Sequence, residues 1–353
     1  MKKILFTGGG SAGHVTVNLA LIPRLAEQGW AIEYMGSKTG IEKQLVAAHG
    51  DVRYHEISSG KLRRYFDWQN VRDPFKIAAG TLQAYRIIKR QRPNVLFSKG
   101  GFVSVPVVIA AWLNKVPVLI HESGVTPGLA NRLCIPFART VCTTFPETAR
   151  SLPGKARYVG PVIRESLRHG DADRGRAFCR LALGKPVLLV MGGSLGARRI
   201  NETVRESLGT LLAHFQIVHL CGKDQLDPAL ESPGYRQYEY VSDELPDVLA
   251  MSDLVVSRAG ANAIFEFLAL RKPMLLIPLP AGQSRGDQIL NANAFREAGY
   301  CEVLAEERLT PASLVEQATR LYARRRAYQA SMETFTWSDA LAAVADLIRQ
   351  AAR

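Results

Sequence analysis

The sequence predicts an α/β protein built from two Rossmann-type domains, and three observations support this prediction. Within the stretch 2–15, a short apolar run breaks into glycines and then into a helical pattern, which is the order strand, glycine turn, helix. The same order returns at 185–198. At 353 residues the chain is longer than one ordinary hydrophobic core, so two domains are expected.

The first glycine loop is a candidate anion site. Its glycines allow a tight turn, and the helix that follows directs its free N–H groups toward whatever anion lies there. Gly8, Gly10 and Gly13 match the G-x-G-x-x-G spacing, which plain α/β turns also show. His14 begins the helix and could accept a proton from an incoming hydroxyl, whereas a histidine that merely packs at a helix start is the alternative.

A dinucleotide cofactor is disfavoured by the second strand. A nicotinamide-binding fold carries an acid at the end of that strand to hold a ribose. Here the strand at 31–35 ends in Gly36-Ser37-Lys38, and Glu33 lies inside it. A nucleotide-binding oxidoreductase therefore stays only as an alternative.

Composition indicates a globular protein without a membrane span. Hydrophobic residues make up 47% and charged residues 22%, with a mean hydropathy of −0.02. No apolar run approaches the roughly 20 residues of a transmembrane helix, and no signal-peptide pattern opens the chain. Five scattered cysteines without C-x-x-C spacing predict buried, reduced thiols and no zinc site.

The net charge of +13 arises in the first half of the chain. Residues up to Arg164 include 23 Lys and Arg against 9 Asp and Glu, whereas the remainder has 22 against 23. This asymmetry predicts an anionic partner, and nucleic acid, anionic lipid or a phosphorylated substrate would fit.

Aromatic and basic residues interleave between 59 and 80. The pattern suits a membrane surface, although aromatics packed on the core with solvated charges would produce it too. Single-stranded nucleic acid is disfavoured because no recognised binding motif accompanies the segment. The candidate membrane patch consists of Leu62, Tyr65, Phe66, Trp68 and Phe75.

Two more stretches place polar residues at strand ends. A strand at 94–98 leads into a second glycine loop at 99–104, and a strand at 117–120 ends at His121 and Glu122. Ligands collect at the carboxyl ends of strands in open α/β sheets, so both side chains are candidate site residues. A hydrogen-bonded pair that fixes the loop is the alternative.

The second half repeats the pattern of strand, glycine turn and helix. Ser194 follows a glycine turn and could receive phosphate, and Glu266 could accept two ribose hydroxyls or be a helix-surface charge. Gln288 can donate and accept, as a sugar contact requires, although a solvated loop amide explains it equally. The two domains are expected to meet near 160–164.

With these residues assembled, the chain resembles the MurG family of bacterial glycosyltransferases. The resemblance spans nearly the full length, and its specificity lies in the order of the motifs. They are Gly9-Gly10-Ser11-Ala12-Gly13-His14-Val15, Lys99-Gly100-Gly101-Phe102-Val103-Ser104, His121-Glu122, Pro127-Gly128-Leu129-Ala130-Asn131, Gly192-Gly193-Ser194-Leu195-Gly196-Ala197-Arg198, Ser257-Arg258-Ala259-Gly260-Ala261 and Asp287-Gln288.

The resemblance implies the GT-B fold, an α/β architecture of two facing Rossmann-like parallel-sheet domains with an interdomain cleft. It implies an acceptor and membrane-association domain at 1–163, a UDP-sugar-binding domain at 164–336, and a C-terminal helix at 337–353 that crosses back to the first domain. The implied reaction transfers N-acetylglucosamine from UDP-N-acetylglucosamine to the 4-hydroxyl of undecaprenyl-diphospho-N-acetylmuramyl-pentapeptide. The implied location is the cytoplasmic face of the bacterial cell membrane, bound peripherally to anionic lipid, with no nucleic-acid partner.

The resemblance also implies individual roles. His14 is the first choice of general base, and Glu122 is its rival or the group that orients it. The expected donor contacts are Ser194 on the phosphates, Glu266 on ribose and Gln288 on the sugar. The remaining substrate-binding residues carried over are Ser11, Ala12, Gly13, Arg164, Val241, Ala261, Asn262 and Ala263.

Departures from the family pattern affect the sugar contacts. The chain has Ser11-Ala12 where Thr-Gly is common, and Ser123-Gly124 where Gln-Asn is common. Because an asparagine that contacts the sugar in relatives is missing, Asn131 is a candidate replacement. A Gln-Gln pair is also reduced to Asp287-Gln288.

The expected mechanism is an inverting displacement in which UDP leaves toward the Ser194 loop. Helix dipoles and N–H groups can stabilise the leaving diphosphate, so neither a metal nor a cofactor is expected. The alternatives are a diacylglycerol glycosyltransferase, a UDP-N-acetylglucosamine 2-epimerase, the oxidoreductase named above, and a non-catalytic lipid-binding regulator.

Overall fold

The computed structural model describes residues 1–50, 52–60, 69–193, 196–230, 232–282 and 286–352, and describes the backbone alone at residues 12 and 69–75. By its internal contacts the chain divides into two compact units. Unit 1 comprises Met1–Val162 with Trp337–Arg353, and unit 2 comprises Ile163–Thr336.

The first part of the chain alternates strands and helices. Short 3₁₀ turns at Ala12–His14 and Ile135–Phe137 interrupt the alternation. The regular elements are β1 (Lys3–Thr7), α1 (Thr16–Glu27), β2 (Ala31–Ser37), α2 (Ile41–Ala47), β3 (Arg53–Ile57), α3 (Gln69–Gln91), β4 (Val95–Ser98), α4 (Ser104–Leu113), β5 (Val118–Glu122), α5 (Leu129–Cys134), β6 (Thr140–Thr143), α6 (Pro146–Ser151) and β7 (Ala156–Tyr158).

The second part repeats this alternation and ends in helices. Further 3₁₀ turns lie at Glu165–His169 and Glu306–Arg308. The regular elements are α7 (Ala172–Cys179), β8 (Val187–Met191), α8 (Arg198–Glu206), α9 (Leu208–His214), β9 (Gln216–Leu220), β10 (Tyr235–Tyr238), α10 (Leu245–Met251), β11 (Leu254–Ser257), α11 (Ala261–Ala269), β12 (Met274–Leu276), α12 (Asp287–Glu297), β13 (Cys301–Val303), α13 (Pro311–Ala323), α14 (Arg325–Glu333) and α15 (Ala340–Ala351).

Each unit is built on a parallel sheet. The order in unit 1 is β3-β2-β1-β4-β5-β6-β7, and in unit 2 it is β10-β9-β8-β11-β12-β13. Neighbouring strands pair in parallel throughout both sheets. Both orders reverse beside the first strand of the unit, which is where open α/β sheets bind ligands. The predicted α/β class is therefore confirmed.

Helices cover both faces of the unit 1 sheet. One face packs α1 and α15 against inward residues of β1 and β4, such as Phe6 and Phe97. From α15, the residues Val344 and Ile348 are fully buried in this cluster. The other face packs α3 and α4. The C-terminal helix is thus part of the core of unit 1.

Two composition-based predictions can be compared with the fold. All five cysteines are buried and free, as predicted. Across the described ranges, no helix is both long and apolar enough to span a bilayer.

Some sequence-based bounds differ from the observed ones. The strand predicted at 117–120 extends to Glu122, because His121 and Glu122 continue the parallel ladder opposite Cys142 and Thr143. Of the candidate membrane patch, Leu62, Tyr65, Phe66 and Trp68 lie outside the described residues, and only the backbone of Phe75 is described, within α3.

Candidate functional site

The first glycine loop lies at the carboxyl end of β1 and leads into the 3₁₀ turn that ends at His14. The His14 N–H donates to the Ser11 carbonyl at 3.1 Å, and Ser11, Gly13 and His14 are half-buried. A Cβ at Gly8 would overlap the carbonyl oxygen of His14, so glycine is needed there for the turn to approach β1. Three of the predicted acceptor-side residues thus lie together, with the backbone of Ala12 between them.

The two glycine loops of unit 1 touch through their backbones. The Gly9 N–H donates to the Gly100 carbonyl at 3.3 Å. A Cβ at Gly101 would overlap the Gly9 carbonyl, and Gly101 also has a φ of 84°. Because side chains fit neither the space nor the backbone angle, the segments 8–11 and 99–101 form one continuous backbone surface.

Lys99 is a buried cation beside this surface that the sequence analysis did not single out. The side chain is 3% exposed, and its ammonium donates to the Ser123 hydroxyl. Burial lowers the pKa of Lys99 to about 8, although the charge of Glu122 opposes the shift. A buried ammonium with a depressed pKa is typical of functional sites. The signal in the sequence was a lysine placed directly before a glycine pair at a strand end.

The His121 side chain is buried. Burial, and then the charge of Lys99, lowers its pKa well below the ordinary value. Neither ring nitrogen has a hydrogen-bond partner among the residues that the structure describes. Its side chain therefore makes no hydrogen bond with Glu122.

Glu122 fixes the loop that follows β5. Its carboxylate accepts hydrogen bonds from the Gly124 N–H at 2.8 Å, from the Gly128 N–H at 2.9 Å and from the Asn131 amide at 2.8 Å. The Asn131 amide also donates to the His121 carbonyl at 3.1 Å. Both hydrogens of the Asn131 amide are thus engaged within the fold. Glu122 fixes the loop, as the alternative expected, but its side-chain partner is Asn131 and not His121.

In unit 2, Arg164 and Glu266 form a bidentate ion pair. The Arg164 Nε and Nη2 atoms donate to the two carboxylate oxygens of Glu266 at 2.7 and 2.8 Å. Burial lowers the pKa of Arg164, but the hydrogen bonds and charge of Glu266 outweigh it and leave the pKa raised. Glu266 is only 8% exposed and its two oxygens accept hydrogen bonds from Arg164. Its carboxylate is therefore fixed in place and is not a solvated charge on the helix surface.

Three of the other donor-side residues lie at the start of α11. Ala261, Asn262 and Ala263 form its first turn, which follows Gly260 and has no side-chain cap. The N–H groups of such a turn suit an anion or a carbonyl oxygen. In the first turn of α12, the Gln288 amide oxygen accepts the Leu279 N–H at 3.1 Å. Val241 is buried.

The glycine turn after β8 rests on a buried polar network. Ser194 lies outside the described residues, but a Cβ at Gly196 would overlap the Cys221 carbonyl. That carbonyl accepts from the Asn201 amide at 2.8 Å, and His219 bonds Asn201 and the Tyr235 hydroxyl at 2.9 Å each. The network holds the turn close to β9.

Acidic and metal-binding residues do not cluster in the described ranges. No group of three or more His, Cys, Asp or Glu side chains there has the arrangement that would hold a metal ion.

Comparison with known proteins places both halves of the chain in one family. Residues 4–143 match the glycosyltransferase family 28 N-terminal domain, and residues 187–350 match its C-terminal domain. The second match includes all but the last residue of α15, which packs in unit 1.

Full-length relatives carry one name. The UDP-N-acetylglucosamine–N-acetylmuramyl-(pentapeptide) pyrophosphoryl-undecaprenol N-acetylglucosamine transferase of Geobacillus thermodenitrificans is 57% identical over 354 residues, covering 100% of this chain and 99% of the relative. The protein of the same name from Geobacillus kaustophilus is 56% identical, with the same coverage.

Solved structures agree with the fold. The crystal structure of Acinetobacter baumannii MurG is 26% identical, with a TM-score of 0.75 over 99% of this chain and 100% of that one. The calicheamicin glycosyltransferase CalG4 is 18% identical with a TM-score of 0.71 over 99% of this chain and 98% of that one, and it shows the fold alone. The chain has the α/β GT-B fold and belongs to the MurG family within glycosyltransferase family 28.

Proposed function

We propose that this chain transfers N-acetylglucosamine from UDP-N-acetylglucosamine to the 4-hydroxyl of undecaprenyl-diphospho-N-acetylmuramyl-pentapeptide, the step from lipid I to lipid II in peptidoglycan synthesis. The observation that carries the proposal is 57% identity over the whole chain to a relative named for this transfer. The chain has the glycine loops of both units, together with His14, Glu122, Glu266 and Gln288, and departs from the family pattern at Ser123-Gly124 and Asp287.

The proposed step is one inverting displacement. The acceptor hydroxyl oxygen forms a bond to the anomeric carbon, and the bond from that carbon to UDP breaks with its electron pair on the diphosphate. His14 takes the hydroxyl proton, since an imidazole beside the acceptor loop can act as a general base. Glu122 supports the site from β5, because its oxygens already accept three hydrogen bonds.

Unit 1 is proposed to bind the acceptor and unit 2 the donor. Ser11, Ala12 and Gly13 would offer N–H groups to the acceptor diphosphate at the start of the helix. The α11 turn at 261–263, with Arg164 and the backbone of Val241, would hold the nucleotide. Glu266 would accept the ribose hydroxyls on lone pairs that Arg164 leaves unused, since each carboxylate oxygen can accept two hydrogen bonds.

Measuring UDP release from UDP-N-acetylglucosamine tests the proposal. We expect release that requires a short-chain lipid-linked muramyl-pentapeptide and persists with a chelator. Free N-acetylmannosamine formed without an acceptor would instead identify an epimerase. Release that required diacylglycerol would identify a different lipid glycosyltransferase.

The same assay tests the role of His14. His14→Ala should lower kcat by roughly 10²–10⁴-fold, the usual contribution of a general base, while UDP affinity stays within about twofold because unit 2 holds the nucleotide. His49→Ala is the matched control, since His49 is an exposed histidine of the same unit. A loss of UDP binding in His14→Ala would overturn the assignment.

Membrane association is proposed to use an exposed apolar surface that the structure describes, the α4–α5 patch: Trp112, Leu113, Leu133 and Phe137. The first three are 52%, 50% and 42% exposed, and the rings of Trp112 and Phe137 lie 5.2 Å apart. Exposed Lys115 and Arg132 lie just after α4 and on α5, and exposed Lys155 donates to the Ile135 and Pro136 carbonyls beside Phe137. Aromatic rings among cations fit a surface of anionic lipid.

Vesicle binding tests this surface. The double variant Trp112→Ala/Leu113→Ala should reduce binding to phosphatidylglycerol vesicles at least fivefold, because apolar burial at the headgroup boundary is lost. Leu183→Ala is the control, since Leu183 is 81% exposed but lies in unit 2. An equal loss of vesicle binding in both variants would contradict a specific patch. A wild-type chain that does not bind anionic vesicles would contradict it too.

A further inference from the structure

A buried carboxylate lies under the first glycine loop. Glu42, in the first turn of α2, is fully buried. Its Oε2 atom accepts the Gly10 N–H at 3.1 Å, and its Oε1 atom accepts the Ser37 N–H at 3.0 Å and the Ser37 hydroxyl at 2.6 Å. One side chain therefore joins the loop after β1 to the end of β2.

Hydrogen-bond donors, not cations, stabilise this carboxylate. Within the described ranges, no Lys, Arg or His nitrogen forms an ion pair with Glu42. A buried charge without a counter-ion is costly unless several donors point at it. Concave backbone loops rich in glycine ordinarily provide such donors to phosphate. The Glu42 carboxylate thus accepts hydrogen bonds that a glycine-rich loop ordinarily donates to a bound phosphate.

The space around the carboxylate is reserved by glycines. A Cβ at Gly9 or Gly40 would overlap the Glu42 carboxylate. Gly40 has a φ of −77° and a ψ of 156°, angles that other residues adopt freely. Gly40 is therefore required by the position of the carboxylate and not by the backbone.

Two stacked tyrosines complete the floor of the loop. The ring planes of Tyr34 and Tyr54 lie within 7° of parallel, and their centroids are 5.8 Å apart. Their hydroxyls donate to the Gly8 carbonyl at 2.7 Å and to the Ser37 carbonyl at 2.8 Å. Burial, with a smaller contribution from the charge of Glu42, raises the pKa of both phenols, so they remain donors.

We propose that Glu42 is a positioning residue that holds the first glycine loop, and through it His14, in the conformation that receives the acceptor. The carboxylate engages the Gly10 N–H, which is thereby withdrawn from ligand binding. The acceptor diphosphate is left to the N–H groups farther along the chain, at Ser11 to Gly13, next to the proton acceptor. This inference rests on the proposed function.

Two single variants test the inference from opposite sides. Glu42→Gln keeps the size of the side chain, but its amide nitrogen cannot accept the hydrogen bonds. Gly40→Ala keeps the carboxylate but displaces it. Each should lower kcat/KM for the lipid acceptor at least tenfold, mainly through kcat, while the Kd for UDP changes less than twofold. Gly209→Ala is the control, since a Cβ there meets nothing within 4 Å.

A double variant separates positioning from general damage. In a Glu42→Ala background the space beside Gly40 is empty, so adding Gly40→Ala should cause no further loss. A purely structural role predicts a lower Tm with unchanged kcat/KM for the folded fraction, and that result would overturn the inference. Additive losses in the double variant would also overturn it. Failure of the proposed function would appear separately, as a wild-type chain without acceptor-dependent turnover.

Discussion

At the scale of single residues, the Arg164–Glu266 pair is the clearest finding of unit 2. The resemblance assigned Glu266 to the ribose and counted Arg164 among the substrate-binding residues, without pairing the two side chains. The structure joins them in a bidentate ion pair. Each then constrains the orientation of the other, so substitution of either side chain should affect both stability and nucleotide binding.

A double-mutant cycle on this pair should show strong coupling. Glu266→Ala should weaken UDP binding by about 2 kcal/mol, or about 30-fold, since the two charge-assisted hydrogen bonds proposed between this carboxylate and the ribose would be lost. Arg164→Met should lower the free energy of unfolding of unit 2 by about 2 kcal/mol, because it leaves a buried carboxylate unpaired.

Isothermal titration with UDP and urea unfolding would measure the two effects. The double variant should be more stable than Arg164→Met alone. Strict additivity of the unfolding free energies would show that the pair contributes nothing as a unit.

Lys99 is the second finding at this scale. Its pKa of about 8 lies below the ordinary value of 10.5, so the unfolded chain binds a proton more tightly than the folded chain between these pH values. The contribution of Lys99 to stability is therefore unfavourable below pH 8 and becomes less so as pH rises toward 10.5.

Lys99→Met should accordingly stabilise unit 1 at pH 7. We expect the free energy of unfolding to rise by about 2 kcal/mol. This is the free energy that corresponds to the full pKa shift, minus that of the lost hydrogen bond to Ser123. The gain should shrink as pH approaches 10. All four tryptophans fall within unit 1, so their fluorescence in urea reports the unfolding of that unit. Lys38→Met, at an exposed lysine, is the control. A destabilised variant at pH 7 would contradict the prediction.

At the scale of elements, glycine turns and the polar groups beneath them set the site geometry. The turn after β8 is supported by His219, whose pKa is lowered to about 3 by burial and then by the charge of Arg205. The ordinary pKa is 6.5, so the unfolded chain takes up a proton more readily between pH 6.5 and 3. Stability should therefore fall as the pH drops through this window.

Acid unfolding of unit 2 should depend on this histidine. Between pH 6.5 and 5 the wild type should lose about 2 kcal/mol of unfolding free energy through His219. His219→Gln should be less stable at pH 7 but lose less over that interval. Circular dichroism in urea at several pH values, together with tryptophan fluorescence to monitor unit 1 separately, would measure both. Parallel pH profiles for the two proteins would contradict the assignment.

At the scale of the whole molecule, the chain leaves unit 1, forms unit 2 and returns. The returning helix α15 buries Ile348 completely in the core of unit 1. Its caps are local, since Asp339 accepts the Ala342 N–H at 2.8 Å, but its burial depends on α1. Unit 1 is therefore incomplete without the last residues of the chain.

The variant Ile348→Ala tests whether α15 contributes to the core of unit 1. We expect unit 1 to lose about 2–4 kcal/mol of unfolding free energy, as for other buried isoleucines cut to alanine. Tryptophan fluorescence in urea would report the loss, and UDP affinity should remain unchanged because unit 2 keeps its core. Gln350→Ala, at an exposed position of the same helix, should be neutral. If the free energy of UDP binding fell by as much as the free energy of unfolding of unit 1, the two units would not behave independently.

The sequence by itself determined the fold class, the glycine turns and the family. These depend on local patterns, namely the apolar period of strands and helices and the glycines needed where the backbone turns. The start and end of β4 and β8 were therefore predicted within a residue or two.

Only the tertiary structure decided which polar groups meet. Glu42 lies 32 residues from Gly10, and Glu266 lies 102 residues from Arg164. No spacing rule connects residues so far apart, because the parallel sheet brings them together through helices of variable length. The three hydrogen bonds that Glu122 accepts and the lowered pKa of Lys99 likewise depend on tertiary contacts and burial, which a sequence pattern does not measure.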